Sequence, residues 1–246
     1  YFKLDTVMLS VMKTQADVGI YGLAYKILES LLFFPAMFVG LTMPLMSKYA
    51  FDDKKRFKLI TQKTLDILII FVILLVAATT LLSDKIIILI GGPEFIASSI
   101  VLNILIVATG IIYLAVLFSN MIISINQQKK LTYIYGLGAL INVVANLIFI
   151  PKYSYNGAAA TTVLTELVVT ILMLVVLYKS LRYLLRFDLV VKCVVAAVVM
   201  ALFLIWLNHW TLFSLIAVAL FSYFGVLYLI KALPTNDIIA LVKKEI

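Results

Sequence analysis

A single cysteine, Cys193, and a single histidine, His209, are all that 246 residues offer to thiol and imidazole chemistry. One cysteine cannot close an internal disulfide, so cysteine usage carries no information about redox compartment. One histidine, one cysteine and 12 acids leave no zinc or haem ligand set. No Gly-x-x-x-x-Gly-Lys-Ser/Thr run is present to cradle nucleotide phosphates, and no Ser–His nucleophile motif stands out. No cofactor or metal is expected. Charge is scarce as well: 13% of residues are Asp, Glu, Lys or Arg, where soluble domains carry about a quarter.

Apolar residues fill the space that charge leaves. They make up 65% of the chain, and the mean hydropathy is +1.17. That balance excludes an ordinary soluble fold, a disordered chain and a secreted disulfide scaffold. An all-α polytopic membrane protein is expected. The chain opens at Tyr1, already inside an apolar run and without a charged leader, and reads as the later part of a longer polypeptide.

A helix crossing ~30 Å of hydrocarbon needs ~20 mostly apolar residues. The chain supplies a truncated first span near 1–13, then spans near 18–47, 65–82, 97–124, 131–150, 157–178, 189–207 and 212–230. The five apolar residues 86–90, stopped by Gly91-Gly92-Pro93, are too few to cross and are expected to form a short interfacial helix or cap.

The basic residues orient these spans. Alternation places fifteen of them on one side: Lys48, Lys54, Lys55, Arg56, Lys58, Lys63, Lys129, Lys130, Lys179, Arg182, Arg186, Lys192, Lys231, Lys243 and Lys244. Only Lys13, Lys85 and Lys152 fall on the other. By the positive-inside rule the richer side, with the C-terminus, is cytoplasmic. The net charge of +8 is thereby explained as topology marking and contact with anionic lipid, so no nucleic-acid partner is expected. Residues 51–64 and 235–246 mix apolar and charged side chains as surface-lying segments do. His209, beside Trp210 in a short outer turn, reads as an interfacial residue.

Charged groups within a span cost several kcal/mol, so each needs a reason. Four lie in the first two spans: Lys3, Asp5, Lys26 and Glu29. Asp5 and Lys26 sit roughly 12–14 Å below the outer turn at Lys13–Asp17, and Lys3 and Glu29 one step deeper. An antiparallel hairpin can therefore bring together Asp5 with Lys26 and Lys3 with Glu29. A second hairpin, joined by an outer loop over 151–156, repeats the depth. Asn142 and Asn146 share a face with Gly138, while Glu166 follows Ala158 and Thr162 on one helical row. Two readings compete. Either ion pairs, Asn and Thr glue the helices together, or these groups line a wet pathway for a substrate or coupling ion. Pro35 lies mid-span, just inward of Glu29, where a kink can serve as a hinge.

The order of these residues resembles a known family. The stretch Asp5-Thr6-Val7-Met8-Leu9, followed by Asp17 to Lys26, is similar to the seventh and eighth helices of polysaccharide-export flippases. Pro35 and Pro44-Leu45-Met46-Ser47 match that family's prolines. Asn142 to Pro151, then Gly157 to Thr162 and Glu166, resemble its eleventh and twelfth helices. The family is the Wzx-type (O-antigen) branch of the MOP superfamily, which also holds MATE exporters and MurJ-type flippases.

The resemblance implies the second six-helix lobe of a MOP/MATE-like flippase over residues 1–182, with its first helix truncated. Two additional transmembrane helices over 183–232 and a cytoplasmic amphipathic tail over 233–246 would follow. Its partner would be a missing N-terminal lobe of the same polypeptide, in a bacterial or archaeal cytoplasmic membrane. The implied activity is movement of an undecaprenyl-diphosphate-linked oligosaccharide to the outer leaflet for surface polysaccharide biosynthesis, without enzymatic chemistry. Sodium ion, proton or membrane potential would drive it. Lys26, with Lys3, would meet the anionic head group. Asp5 and Glu29 would hold those lysines or sense the coupling ion, Glu166 would line the pathway, and Asn142, Asn146 and Thr162 would form a polar network. A MATE-type drug exporter, which prefers acids in its cavity, and a membrane-embedded glycosyltransferase or polymerase are the alternatives. The enzyme would need a large outer loop, and no outer loop here exceeds about a dozen residues.

Overall fold

A computed structural model describes residues 3–183 and 185–232. The tail expected over 233–246 lies outside the described residues. Among the described residues eight α-helices follow one another: α1 (Leu4–Met12), α2 (Gln15–Leu31), α3 (Phe33–Asp52), α4 (Lys54–Gly91), α5 (Ser98–Ser124), α6 (Gln128–Leu181), α7 (Asp188–Trp206) and α8 (Leu212–Leu229). A single 3-10 turn, Pro93–Phe95, separates α4 from α5, and no strand occurs among the described residues. Hydrocarbon cannot hydrogen-bond an open backbone, so helices are the structure such apolar runs require. Six stretches among the described residues are long and apolar enough to cross a membrane: Gln15–Asp52, Lys54–Gly91, Ser98–Ser124, Gln128–Leu181, Asp188–Trp206 and Leu212–Leu229. The chain is a multi-pass membrane protein.

α6 does not run straight for its 54 residues. Ser154 leaves helical geometry at φ 48° and ψ −131°, and the two arms on either side fold back against each other. Gln127 accepts a 2.9 Å bond from the Ser180 hydroxyl at the far end of the hairpin. Gly138 faces Val169 and Thr165 midway, and near the bend Gly157 packs against the Phe149 carbonyl. The outer loop expected over 151–156 is thus reduced to a one-residue reversal. Pro151 starts it by leaving its helix without one amide donor.

Three other boundaries differ from the sequence reading. The expected span 18–47 is two helices, α2 and α3, broken at Leu32. Residues 86–90 are not a separate cap but the last turns of α4, which ends where Gly92 adopts φ +89°. Residues 51–64 do not form a separate surface-lying segment: Phe51 and Asp52 end α3, and 54–64 are continuous with α4, started by Asp53 accepting from the Lys55 and Arg56 amides at 3.0 Å. Hydrophobic run length does not mark a helix end when no glycine or proline interrupts the backbone ladder.

α5 lies at the centre, against α2, α3, α4 and α6. α1 packs on α6 and α2, and α7 pairs with α8 and leans on α4. Contacts distant in sequence agree with the alternation of spans. Lys13 donates to the Pro151 carbonyl at 3.0 Å, and Lys85 to the carbonyls of Asn208 and Trp210, joining segments assigned to one side. Gln62 bonds the backbone of Arg186 at the other. His209 stands in the α7–α8 turn, edge-on to Trp210 with ring centroids 6.3 Å apart.

Candidate functional site

Asp5 occupies the first turn of α1 and is 1% exposed. Its Oδ1 accepts hydrogens from the amide nitrogens of Asn142, at 2.8 Å, and Asn146, at 2.6 Å. Its Oδ2 accepts from the hydroxyls of Thr162, at 2.6 Å, and Tyr21, at 3.2 Å. A carboxylate is an acceptor with about four lone-pair positions, and four donors meet it here. The second hydrogen of Asn146 Nδ2 goes to Asn142 Oδ1 at 3.1 Å. Thr162 Oγ1 also lies 3.1 Å from the Ala158 carbonyl and 3.3 Å from the Tyr21 hydroxyl. Asp5 makes no ion pair among the described residues.

Four helical segments build this cluster. Helical spacing explains why each can. Asn142 and Asn146 stand one turn apart on the first arm of α6, with Gly138 on the same face letting the second arm approach. Ala158 and Thr162 repeat that spacing on the second arm. Tyr21 faces inward from α2 because Tyr21, Ala24, Tyr25 and Leu28 form its buried stripe.

Glu166, 2% exposed, comes one turn beyond Thr162. Tyr25 and Tyr135 lie within electrostatic reach of it, and the Tyr21 and Tyr25 rings stack at 5.7 Å. The two acids therefore belong to one polar strip. The Oδ1 of Asn146 and the hydroxyls of Thr161 and Thr165 are buried beside it without a hydrogen-bond partner.

Of the two expected ion pairs, the structure forms one. Lys3 Nζ lies 3.6 Å from Glu29 Oε1, with both side chains open at 78% and 43% exposure. Asp5 and Lys26 do not pair. Matched depth is not enough: α2 turns Tyr21 and Tyr25 towards Asp5, so Lys26, one residue past Tyr25, lies on the exposed face with Glu29. The polar layer thus contains Asp5, Asn142, Asn146, Thr162 and Glu166, while Lys3, Lys26 and Glu29 form a separate open strip. Pro35 marks the break from one turn downstream, its missing amide leaving the Leu31 carbonyl without a helical donor. It is the third residue of α3, and the helix axis is interrupted at Leu32. Tyr21 was absent from the candidate residues. Two tyrosines at i, i+4 in an apolar span are its signal, since a buried phenol needs a partner for its hydroxyl.

A family model described as MatE matches residues 1–148. The chain belongs to the MatE family. That match takes in Asp5, Tyr21, Asn142 and Asn146 but ends inside the first arm of α6, before Thr162 and Glu166. The fold of this MatE-family chain is similar to that of a solved structure titled lipid II flippase MurJ, inward closed conformation. The TM-score is 0.67 at 17% identity, over 96% of this chain and 53% of that one. The chain therefore spans about half the length of that relative. No curated protein sequence matches it.

Proposed function

We propose that this MatE-family chain is one half of a flippase that carries an undecaprenyl-diphosphate-linked oligosaccharide across the cytoplasmic membrane, with the Asp5 cluster as the site of its coupling ion. The observation that carries the reading is a buried carboxylate on α1 held by four neutral donors from three other helical segments, with no basic side chain paired to it. A structural ion pair would have neutralised Asp5 with a lysine. Instead the cluster offers hard oxygen atoms: both of Asp5, Oδ1 of Asn142 and Asn146, Thr162 Oγ1 and the Ala158 carbonyl. Oxygen sets of this kind suit a hard cation rather than a soft metal. Asn146 Oδ1 is already buried without a partner, so turning the two amides would present both oxygens to a cation.

The open strip supports the substrate side of the reading. The lipid tail of such a cargo can stay in the bilayer while its diphosphate and sugars need a wet, basic route. Lys3, at the N-cap of α1, and Lys26, on α2, are exposed where an anionic head group can reach them. Glu29 keeps Lys3 in place without burying it. Movement of this half against a first lobe would expose the strip to each side in turn. No covalent step is required of the protein.

A second reading, an ion-coupled exporter of cationic small molecules, is favoured by one observation. The charged side chains that the described bundle buries are both acids, Asp5 and Glu166. The experiment separates the two. Lipid-linked glycans are extracted from a strain lacking the full-length gene and weighed by mass spectrometry. Accumulation of one undecaprenyl-diphosphate oligosaccharide, cleared by the wild-type gene but not by Lys26→Ala, supports the flippase. An unchanged lipid pool with new drug sensitivity supports the exporter.

A further inference from the structure

We propose that the pocket between α4, the segment carrying Arg186 and the first turn of α7 binds the head group of an ethanolamine phospholipid from the surrounding membrane. The inference is independent of what the protein transports. The pocket holds about 250 Å³ and is lined by Gln62, Asp66, Arg186, Asp188, Leu189 and Lys192.

Its walls are fixed by one side chain. Gln62 Oε1 accepts from the Arg186 amide at 2.9 Å, and Gln62 Nε2 donates to the Arg186 carbonyl at 2.9 Å. The remaining hydrogen of Nε2 goes to Asp66 Oδ1 at 2.8 Å. One amide thus pins the connecting segment to α4 and orients the half-buried Asp66 carboxylate.

The level of the pocket suits a lipid head group. Beyond Asp66, α4 carries no charged residue until Asp84, and beyond Lys192, α7 carries none to its end. Both helices therefore enter hydrocarbon here. A ligand resting in the pocket has its polar part among charges and anything attached to it beside apolar helix faces.

The charges select the head group. Arg186 and Lys192 offer two cations, and Asp66 and Asp188 two carboxylates. No ion pair within 4 Å joins these cations to these acids among the described residues. The four that line the pocket balance and are two-signed, complementary to a zwitterion, while Lys63 lies outside the lining but within electrostatic reach of Asp66. A phosphate is met by the guanidinium and the ammonium, and a primary ammonium with three hydrogens is met by the carboxylates. A glycerol phospholipid would supply the phosphate but leave the carboxylates facing its anion. A choline head group has no N–H to donate.

The test uses the full-length protein in detergent, titrated with dimyristoyl phosphatidylethanolamine, phosphatidylcholine or phosphatidylglycerol and read by native mass spectrometry. One ethanolamine lipid should be retained in preference to the other two. Asp66→Asn and Lys192→Gln should each weaken that retention about tenfold, the scale of one charged hydrogen bond. The Lys192 side chain bonds no described residue, so Lys192→Gln keeps the test valid where Asp66→Asn disturbs the fold. Equal retention of all three lipids, preference for phosphatidylglycerol, or retention of the ethanolamine lipid unchanged in Lys192→Gln would overturn the proposal.

Discussion

Tyr113 donates its hydroxyl hydrogen to the carbonyl oxygen of Leu31 at 3.0 Å. In an unbroken helix that oxygen would accept from the amide of residue 35, which is Pro35 and has none. The ladder resumes on either side, from Leu32 to Leu28 and from Ala36 to Leu32. A side chain from α5 therefore completes the joint between α2 and α3, next to the helix that presents both Tyr21 and Lys26. Tyr113→Phe should leave a buried acceptor unmet and destabilise the full-length protein by about 1–2 kcal/mol. In a Pro35→Ala background, where the amide is restored, the same change should cost much less. Thermal unfolding of the four proteins in this double-mutant cycle measures the difference; equal costs in both backgrounds would refute the assignment.

Gly157 allows the α6 hairpin to close. A Cβ there would overlap the Phe149 carbonyl, with the carbonyl carbon at 2.7 Å and the Ile150 nitrogen at 3.2 Å. Backbone cannot swing aside as a side chain does, so Gly157→Ala should destabilise by ~3 kcal/mol or more. Loss of monodisperse protein on size exclusion, with Gly136→Ala unaffected as the open-space control, is the expected result.

The Asp5 cluster predicts linkage to a cation. An ion that binds the folded protein at 100 times its dissociation constant stabilises it by ~2.7 kcal/mol. Sodium chloride should therefore raise the melting temperature of the full-length protein above that in choline chloride. Asp5→Asn and Thr162→Val should each abolish the difference. A sodium effect that survives both substitutions places the ion elsewhere.

Lys85 fastens the C-terminal end of α4 to the α7–α8 turn through the carbonyls of Asn208 and Trp210. A cation at a helix C-terminus contributes about 0.3–1 kcal/mol when exposed and up to about 2 kcal/mol when partly buried. Lys85→Met should thus leave the Asp5 cluster intact but speed amide hydrogen exchange across residues 207–211. Unchanged exchange there would mean that α8 is held by its apolar contacts alone, such as Phe224 against Phe71.

Composition and run length determined that this chain crosses a membrane repeatedly and where most spans lie, because hydrocarbon accepts only long apolar helices. Charge asymmetry between loops determined which segments share a side, and the contacts from Lys13, Lys85 and Gln62 agree with it. Counting residues from each turn also placed Asp5, Asn142, Asn146, Thr162 and Glu166 at related depths. Rotation was another matter. Depth depends only on rise per residue, whereas the direction in which a side chain faces depends on which stripe of its helix is packed. α2 packs Tyr21 and Tyr25 inward, so Asp5 met a phenol and two amides in place of Lys26, while Lys3 and Glu29 paired in the open. The breaks at Leu32 and Ser154 were likewise decided in three dimensions: a proline marks a missing hydrogen bond, but only the packed neighbour that replaces it, or the hairpin that closes around it, decides where the axis turns.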